Sequence, residues 1–130
     1  MQNDAKTTRQ VIPPRPGLWH VVDAAGYSLA GLRRLWAETA ARLELAGAGL
    51  VALGFLWRGA DVWHWLVAAG LLALILAVEA LNTAIEVLTD RISPDWSQMA
   101  KDAKDLGSVA VGLMLLVAAG FVGLVLAGRI

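Results

Sequence analysis

Three apolar runs without a formal charge decide what this chain can fold into: Leu45 to Trp57, Val62 to Val78 and Leu106 to Gly128, each bounded by charged residues. A helix needs roughly 20 residues to cross ~30 Å of hydrocarbon. Only the third run meets that length alone. The first must extend back through Ala40 to Glu44, and the second must continue past Glu79, so each brings a carboxylate to the membrane edge. Spans are expected at 40–57, 62–85 and 106–128. A soluble bundle of three such helices would need a polar skin, yet 58% of the 130 residues are hydrophobic and 17% charged, against about 25% charged in soluble chains. The sequence therefore predicts an all-α membrane protein.

The segment from Arg58 to Asp61 allows only a tight turn, which makes the first two spans an antiparallel hairpin. With the N-terminus cytoplasmic, Lys6, Arg9, Arg15, Arg33, Arg34, Arg42, Arg91, Lys101 and Lys104 lie inside, leaving Arg58 and Arg129 outside. The positive-inside rule accepts that orientation and rejects its inverse, placing the C-terminus on the periplasmic or extracellular side of a cell (inner) membrane. Trp57, Trp63 and Trp65 around the outer turn, with Trp19, Trp36 and Trp96 on the inner side, fit aromatic belts at both interfaces.

Residues 1–16 are polar, carry Pro13, Pro14 and Pro16, and contain no apolar stretch of the kind a cleaved signal peptide requires. They are expected to form a flexible cytoplasmic tail. In 17–37, apolar residues at Leu18, Val21, Val22, Ala25, Leu29, Leu32 and Trp36 follow helical spacing with Asp23, Arg33 and Arg34 turned away, so an interfacial amphipathic helix is expected. Residues 38–130 then form the transmembrane domain. Ser93-Pro94-Asp95 reads as an N-cap with proline at the first helical position, opening a short polar helix that leads into the third span. Ala69, Ala73 and Ala77, and Ala119, Gly123 and Ala127, recur every four residues and suit close helix packing.

Several functions are excluded or disfavoured. The net charge is zero, so nothing favours nucleic acid as a partner. The absence of cysteine removes disulfides, thiolate nucleophiles and cysteine metal sites. No glycine-rich phosphate loop is present.

Chemistry concentrates in Glu79-Ala-Leu-Asn82-Thr-Ala-Ile-Glu86-Val-Leu-Thr-Asp90-Arg91. Glu79 and Glu86 lie seven residues apart, hence about 20° apart in azimuth and ~10.5 Å along the axis, with Asn82 near the same face. From Val62 the helix rises roughly 26 Å to Glu79, which puts that carboxyl at the inner boundary of the hydrocarbon and Glu86 among the headgroups. Acids at such depth are functional candidates. A desolvated Glu79 suits a general base acting on an alcohol, and Asn82 would orient that alcohol. Glu86 suits Mg2+ together with Glu38 or Glu44 and nucleotide phosphates. Lys104, followed by Asp105 and Ser108, enters the third span at the same level; it could neutralise phosphate charge, and it is also the nearest base for an ion pair with Glu79.

Ala25-Gly-Tyr-Ser28 with Gly31-Leu-Arg33, the block from Glu79 to Glu86 with Asp90-Arg91, and Ala103-Lys-Asp-Leu-Gly-Ser108 together resemble the prokaryotic diacylglycerol kinases, small three-span lipid kinases. The resemblance covers most of Gly17 to Leu126. It implies a homotrimer with composite sites that moves the γ-phosphate of MgATP directly onto the primary hydroxyl of diacylglycerol. It also implies Glu79 as base, Glu38 and Glu86 as Mg2+ ligands, and Tyr27, Asp95, Trp96, Ser97, Lys104 and Asp105 as nucleotide-binding positions. Asn82 and Ser108 would face the lipid hydroxyl, and Tyr27, Ser28, Leu29 and the stretch from Ala40 to Glu44 would contact the lipid. An undecaprenol kinase of the same build is the nearest alternative. A proton-conducting or scaffold subunit using Glu79 as a relay is a further one, but it leaves Glu86, Lys104 and Asp105 without a purpose.

The chain departs from the family pattern at two points. His20 stands where an arginine near nucleotide and lipid is expected. Trp36 to Glu38 is one residue shorter than the family spacing, a deletion that would turn a continuous helix by ~100°. Histidine carries charge only part of the time near neutral pH. His20→Arg is therefore expected to lower the KM for ATP or leave it unchanged in initial-rate assays; a large rise would mean that the contact has been rebuilt elsewhere.

Overall fold

A computed structural model describes residues 17–130, which form four helices: α1 (Leu18–Trp36), α2 (Thr39–Arg58), α3 (Val62–Ile92) and α4 (Gln98–Leu126). The expected tail at 1–16 lies outside the described residues. No strand occurs among the described residues. Helices α2, α3 and α4 are each long and apolar enough to cross a membrane. The fold is thus an all-α membrane protein, with the three spans where the apolar runs place them. The chain divides into two compact units, 1–32 and 33–130; the second holds all three spans.

The first connection is built by one glycine and one acid. Gly59 adopts the left-handed conformation (φ 66°), where a side chain would be strained. Its N–H reaches Leu56 O at 3.2 Å and that of Ala60 reaches Phe55 O at 2.9 Å, the paired bonds that close a helix C-terminus. Asp61 then caps α3: its side chain accepts from the His64 backbone N–H, while the Asp61 N–H donates to His64 Nδ1 at 3.0 Å. Directly inside this turn, Phe55 is fully buried and meets Trp65 edge-on, with ring centroids 5.5 Å apart, and Phe121 at 6.4 Å. His64 stacks on Trp63 at 3.7 Å. One aromatic cluster therefore ties α2, α3 and α4 together at the end of the bundle nearest the turn.

Two sequence expectations need correction. Ser93 does not open a helix. Its N–H still donates to Thr89 O at 2.8 Å, making it the C-cap of α3, and its hydroxyl meets Ser97 Oγ at 2.8 Å. Ser97 is the N-cap of α4, its Oγ accepting from the Ala100 N–H at 3.2 Å. Nor is there a separate short helix before the third span: α4 runs unbroken from Gln98, its polar first turns carrying Gln98–Asp102 and Lys101–Asp105 side-chain pairs at i,i+4. Of the regularly spaced small residues, Ala69, Ala119 and Gly123 line a cavity of about 740 Å³ between α2, α3 and α4.

The shortened spacing before Glu38 is absorbed by a break. After Trp36 the chain leaves the helix, and Glu38 takes an extended conformation (φ −75°, ψ 135°) as the N-cap of α2. The azimuth of Glu38 is therefore not set by continuation of α1, and a one-residue deletion does not rotate it as it would in an unbroken helix.

Lipid is as apolar as the bundle interior, so the packing within the aromatic cluster, rather than transfer from water, holds this end closed. Phe55→Ala is expected to destabilise the protein by about 2 kcal/mol or more in detergent micelles. Trp57→Ala, at a residue 82% exposed, should change stability by less than about 0.5 kcal/mol. Thermal unfolding of the two variants side by side checks the contrast.

Candidate active site

Because α3 continues as a single helix beyond the apolar run, its last four turns carry the polar stripe in regular helical register. Glu79 is 6% exposed, and Asn82 and Thr83 are buried with it, whereas Glu86 is exposed. The stripe thus passes from a desolvated end to an accessible one within two turns. Asn82 joins them: its Nδ2 donates to Glu86 Oε1 at 3.2 Å, and its Oδ1 is buried without a hydrogen-bond partner. Thr89 turns its hydroxyl back to Ile85 O and Glu86 O, both at 2.9 Å, and takes no part in the stripe's side-chain contacts.

Two further acids reach this place from α2. The charges of Glu86 and Glu38 act on Glu79, and the charge of Glu79 acts on Glu44. Glu44 Oε2 is buried without a partner at the wall of the apolar cavity. These four acids interact electrostatically, and Asn82 is tied to the group by its bond to Glu86. No three acid or histidine side chains among the described residues converge as a metal cage. Mg2+ does not require one: it binds through one or two carboxylates, completing its shell with phosphates and water. The hard oxygen donors of Glu38 and Glu86 fit that ion.

Lys104, Lys101 and Arg34 form ion pairs, none of them with Glu79. Lys104 is ion-paired with Asp90, across from α4 to α3, and not with Glu79. Lys101 pairs with Asp105, and Arg34 with Glu38. Among the described residues, then, no ion pair neutralises Glu79, and the structural alternative of a Glu79–Lys104 bridge is not formed. The Asp90 contact holds the Lys104 ammonium beside the exposed end of the stripe. Pairing residues 14 apart requires the register between α3 and α4, which no local pattern encodes, so this role of Asp90 is not legible in the sequence.

The remaining candidates distribute as follows. Asp95 and Trp96 are exposed in the connection between α3 and α4, and Ser97 is committed through its hydroxyl to capping α4. Asp105 and Ser108 lie on exposed faces of α4. His20, Tyr27, Ser28 and Leu29 belong to the N-terminal unit and sit on α1, where Ser28 Oγ donates to Ala24 O at 3.0 Å.

Residues 26–126 match the family model for prokaryotic diacylglycerol kinase. The chain is 43% identical over 123 residues to a diacylglycerol kinase of Sinorhizobium sp, covering 90% of this chain and 89% of that protein. It is 41% identical over 106 residues to a diacylglycerol kinase of Pseudomonas aeruginosa, covering 78% and 83%. Against a diacylglycerol kinase of Escherichia coli K12 the identity is 36% over 103 residues, covering 78% and 84%. With a family match across all three spans and relatives aligned over most of their own length, the chain belongs to the prokaryotic diacylglycerol kinase family.

Proposed function

We propose that the chain is an ATP-dependent diacylglycerol kinase that makes phosphatidic acid at the cytoplasmic rim of the bilayer. The observation that carries this reading is Glu79: a buried carboxylate with no cationic partner among the described residues, on the same helix face as the Asn82–Glu86 pair, in a chain whose relatives are diacylglycerol kinases. A lipid alcohol suits the surroundings as well. The apolar cavity running from Leu43 and Glu44 to Phe55 and Gly123 offers its walls to acyl chains, with its acid at the polar end.

The residues divide the work by depth. Glu79 accepts the proton of the primary hydroxyl as that oxygen forms its bond to the γ-phosphorus. The bond from the γ-phosphorus to the bridging oxygen breaks, and its electron pair leaves on the β-phosphate of ADP. Asn82 orients the acceptor and holds the Glu86 carboxylate through its amide N–H. Glu38 and Glu86 would hold Mg2+, which when bound supplies charge neutralisation to the phosphates. Lys104, kept in place by Asp90, adds positive charge beside the transferred group. Ser108 is assigned to the lipid hydroxyl. Tyr27, His20, Asp95, Trp96, Ser97 and Asp105 are assigned to the nucleotide, and Tyr27, Ser28, Leu29 and Glu44 to the lipid. A homotrimer with sites shared between subunits, an N-terminus in the cytoplasm and a C-terminus on the far side of the cell membrane complete the proposal.

Mixed micelles with MgATP, offered diacylglycerol or undecaprenol in separate reactions, test the reading by following lipid-bound phosphate. Phosphatidic acid is expected; undecaprenyl phosphate alone would move the protein to the other acceptor, and no product from either would refute lipid phosphorylation. Chelation of Mg2+ should abolish turnover, and its readdition should restore it. Glu79→Gln preserves volume but removes the base, so kcat should fall by about 10³-fold or more, with the KM for ATP within about threefold of wild type. Near-normal turnover of that variant would remove Glu79 from the chemistry.

A further inference from the structure

Gly107 lies inside α4, seated against α3 at Asn82, and is buried. Its backbone does not require glycine: positive φ among the glycines is confined to Gly17, Gly59 and Gly128. In the interior of a helix glycine is destabilising relative to alanine. What it provides is space. The three atoms nearest to a Cβ built at this position all belong to Asn82: Oδ1, which a methyl group would overlap, Cγ at 3.2 Å and Cβ at 3.7 Å.

Asn82 has little freedom to yield. Its Nδ2 is bonded to Glu86 Oε1, and its Oδ1 is buried against Gly107 with no conventional donor. The hydrogen that replaces a side chain on Gly107 points at that oxygen, a weak C–H donor in the one direction left open. Turning the amide over would set its oxygen against the Glu86 carboxylate, which accepts hydrogen bonds but cannot donate them. The amide orientation is therefore held from both sides, by the carboxylate on one and by the bare Cα of α4 on the other.

We propose that Gly107 is a positioning residue for phosphoryl transfer: its missing side chain seats Asn82 so that the amide N–H is aimed at Glu86. This rests on the reading that Asn82 and Glu86 serve that reaction. Gly107 acts through Asn82 and touches neither lipid nor nucleotide. A methyl group at 107 would displace the amide, release the Glu86 carboxylate from its N–H and misplace the acceptor hydroxyl.

Four proteins test it: wild type, Gly107→Ala, Asn82→Ala and the double variant, each assayed with diacylglycerol and MgATP in mixed micelles and unfolded thermally in the same detergent. Gly107→Ala is expected to lower kcat about 100-fold, the scale of a misplacement near 1 Å, while the KM for ATP stays within about threefold. A purely structural defect would lower the amount of folded protein without separating kcat from KM. The double variant should be no slower than Asn82→Ala, because a residue acting through Asn82 has nothing left to act on. The fall in unfolding temperature caused by Gly107→Ala should likewise vanish in the Asn82→Ala background, where the nearest remaining atom is Cβ at 3.7 Å, an ordinary contact.

Gly107→Ala turning over like wild type, or a double variant slower than Asn82→Ala by about tenfold or more, would overturn the proposal. Should Gly107→Ala alone fail to fold, Asn82→Ala and the double variant still decide it, since equal rates and equal unfolding temperatures are required of that pair. A wild-type protein that phosphorylates no diacylglycerol would be seen before any variant is compared. That result would remove the proposed function, and the positioning role with it.

Discussion

The close approach of α4 to the polar half of α3 is the contact on which the rest of the site depends. Buried acids and amides are costly in a low-dielectric surrounding unless each is given a specific neighbour. Here the neighbour is another helix. Gly107 lets α4 come near enough to bury Asn82, and Asn82 in turn fixes one oxygen of Glu86. Two turns further along α3, the same helix pair carries Lys104 to Asp90. A single interface thus orders an amide, a carboxylate and an ammonium along about two turns of α3. Glu79, at the deep end of that interface, forms no ion pair among the described residues.

The two ends of the bundle are held by different physics. At the end near the Gly59 turn, Phe55 with Trp65 and Phe121 locks α2, α3 and α4 by packing alone. At the other end the contacts are hydrogen bonds and ion pairs, and α2 begins only after a break at Glu38. Between them the small residues Ala69, Ala119 and Gly123 keep the middle open as a cavity. That division suits a lipid kinase: an apolar anchor fixes the helices, an apolar chamber accommodates acyl chains, and polar groups with specific partners gather where a headgroup would lie.

What could be read from the sequence follows the range of each interaction. Spans, the Gly59 turn and the unbroken course of α3 through Glu86 depend on local hydropathy and local turn chemistry, and all three were legible. Serine followed by proline has the composition of an N-cap, and only the hydrogen-bond pattern shows that Ser93 closes α3 and Ser97 opens α4. Lys104 takes Asp90 as its partner and not Glu79, and Gly107, part of a recognisable block, has no separate role legible in it. Both depend on the axial register of α4 against α3, which no window of sequence contains. The break after Trp36 belongs to the same class, since nothing in Ala37-Glu38 is a strong helix breaker by composition.

The distribution of titratable groups also separates the competing uses of a buried glutamate. A proton relay through the membrane needs a succession of groups along its path, each within reach of the next through side chains or water. On α3, the nearest titratable residue outward from Glu79 is His64, 15 residues away and so about 22 Å along the axis. On α4 none occurs between Asp105 and Arg129, and the walls of the cavity carry a single acid, Glu44, at the same end as Glu79. The acids are gathered at one level instead of being strung across the hydrocarbon. Such a cluster raises mutual repulsion with nothing gained for conduction, but it is the arrangement that a divalent cation and the phosphates it accompanies would relieve. Under the proposed function the polar residues on α2, α3 and the start of α4 would share one purpose, transfer at the interface, and the apolar middle of the same helices would hold the acceptor there.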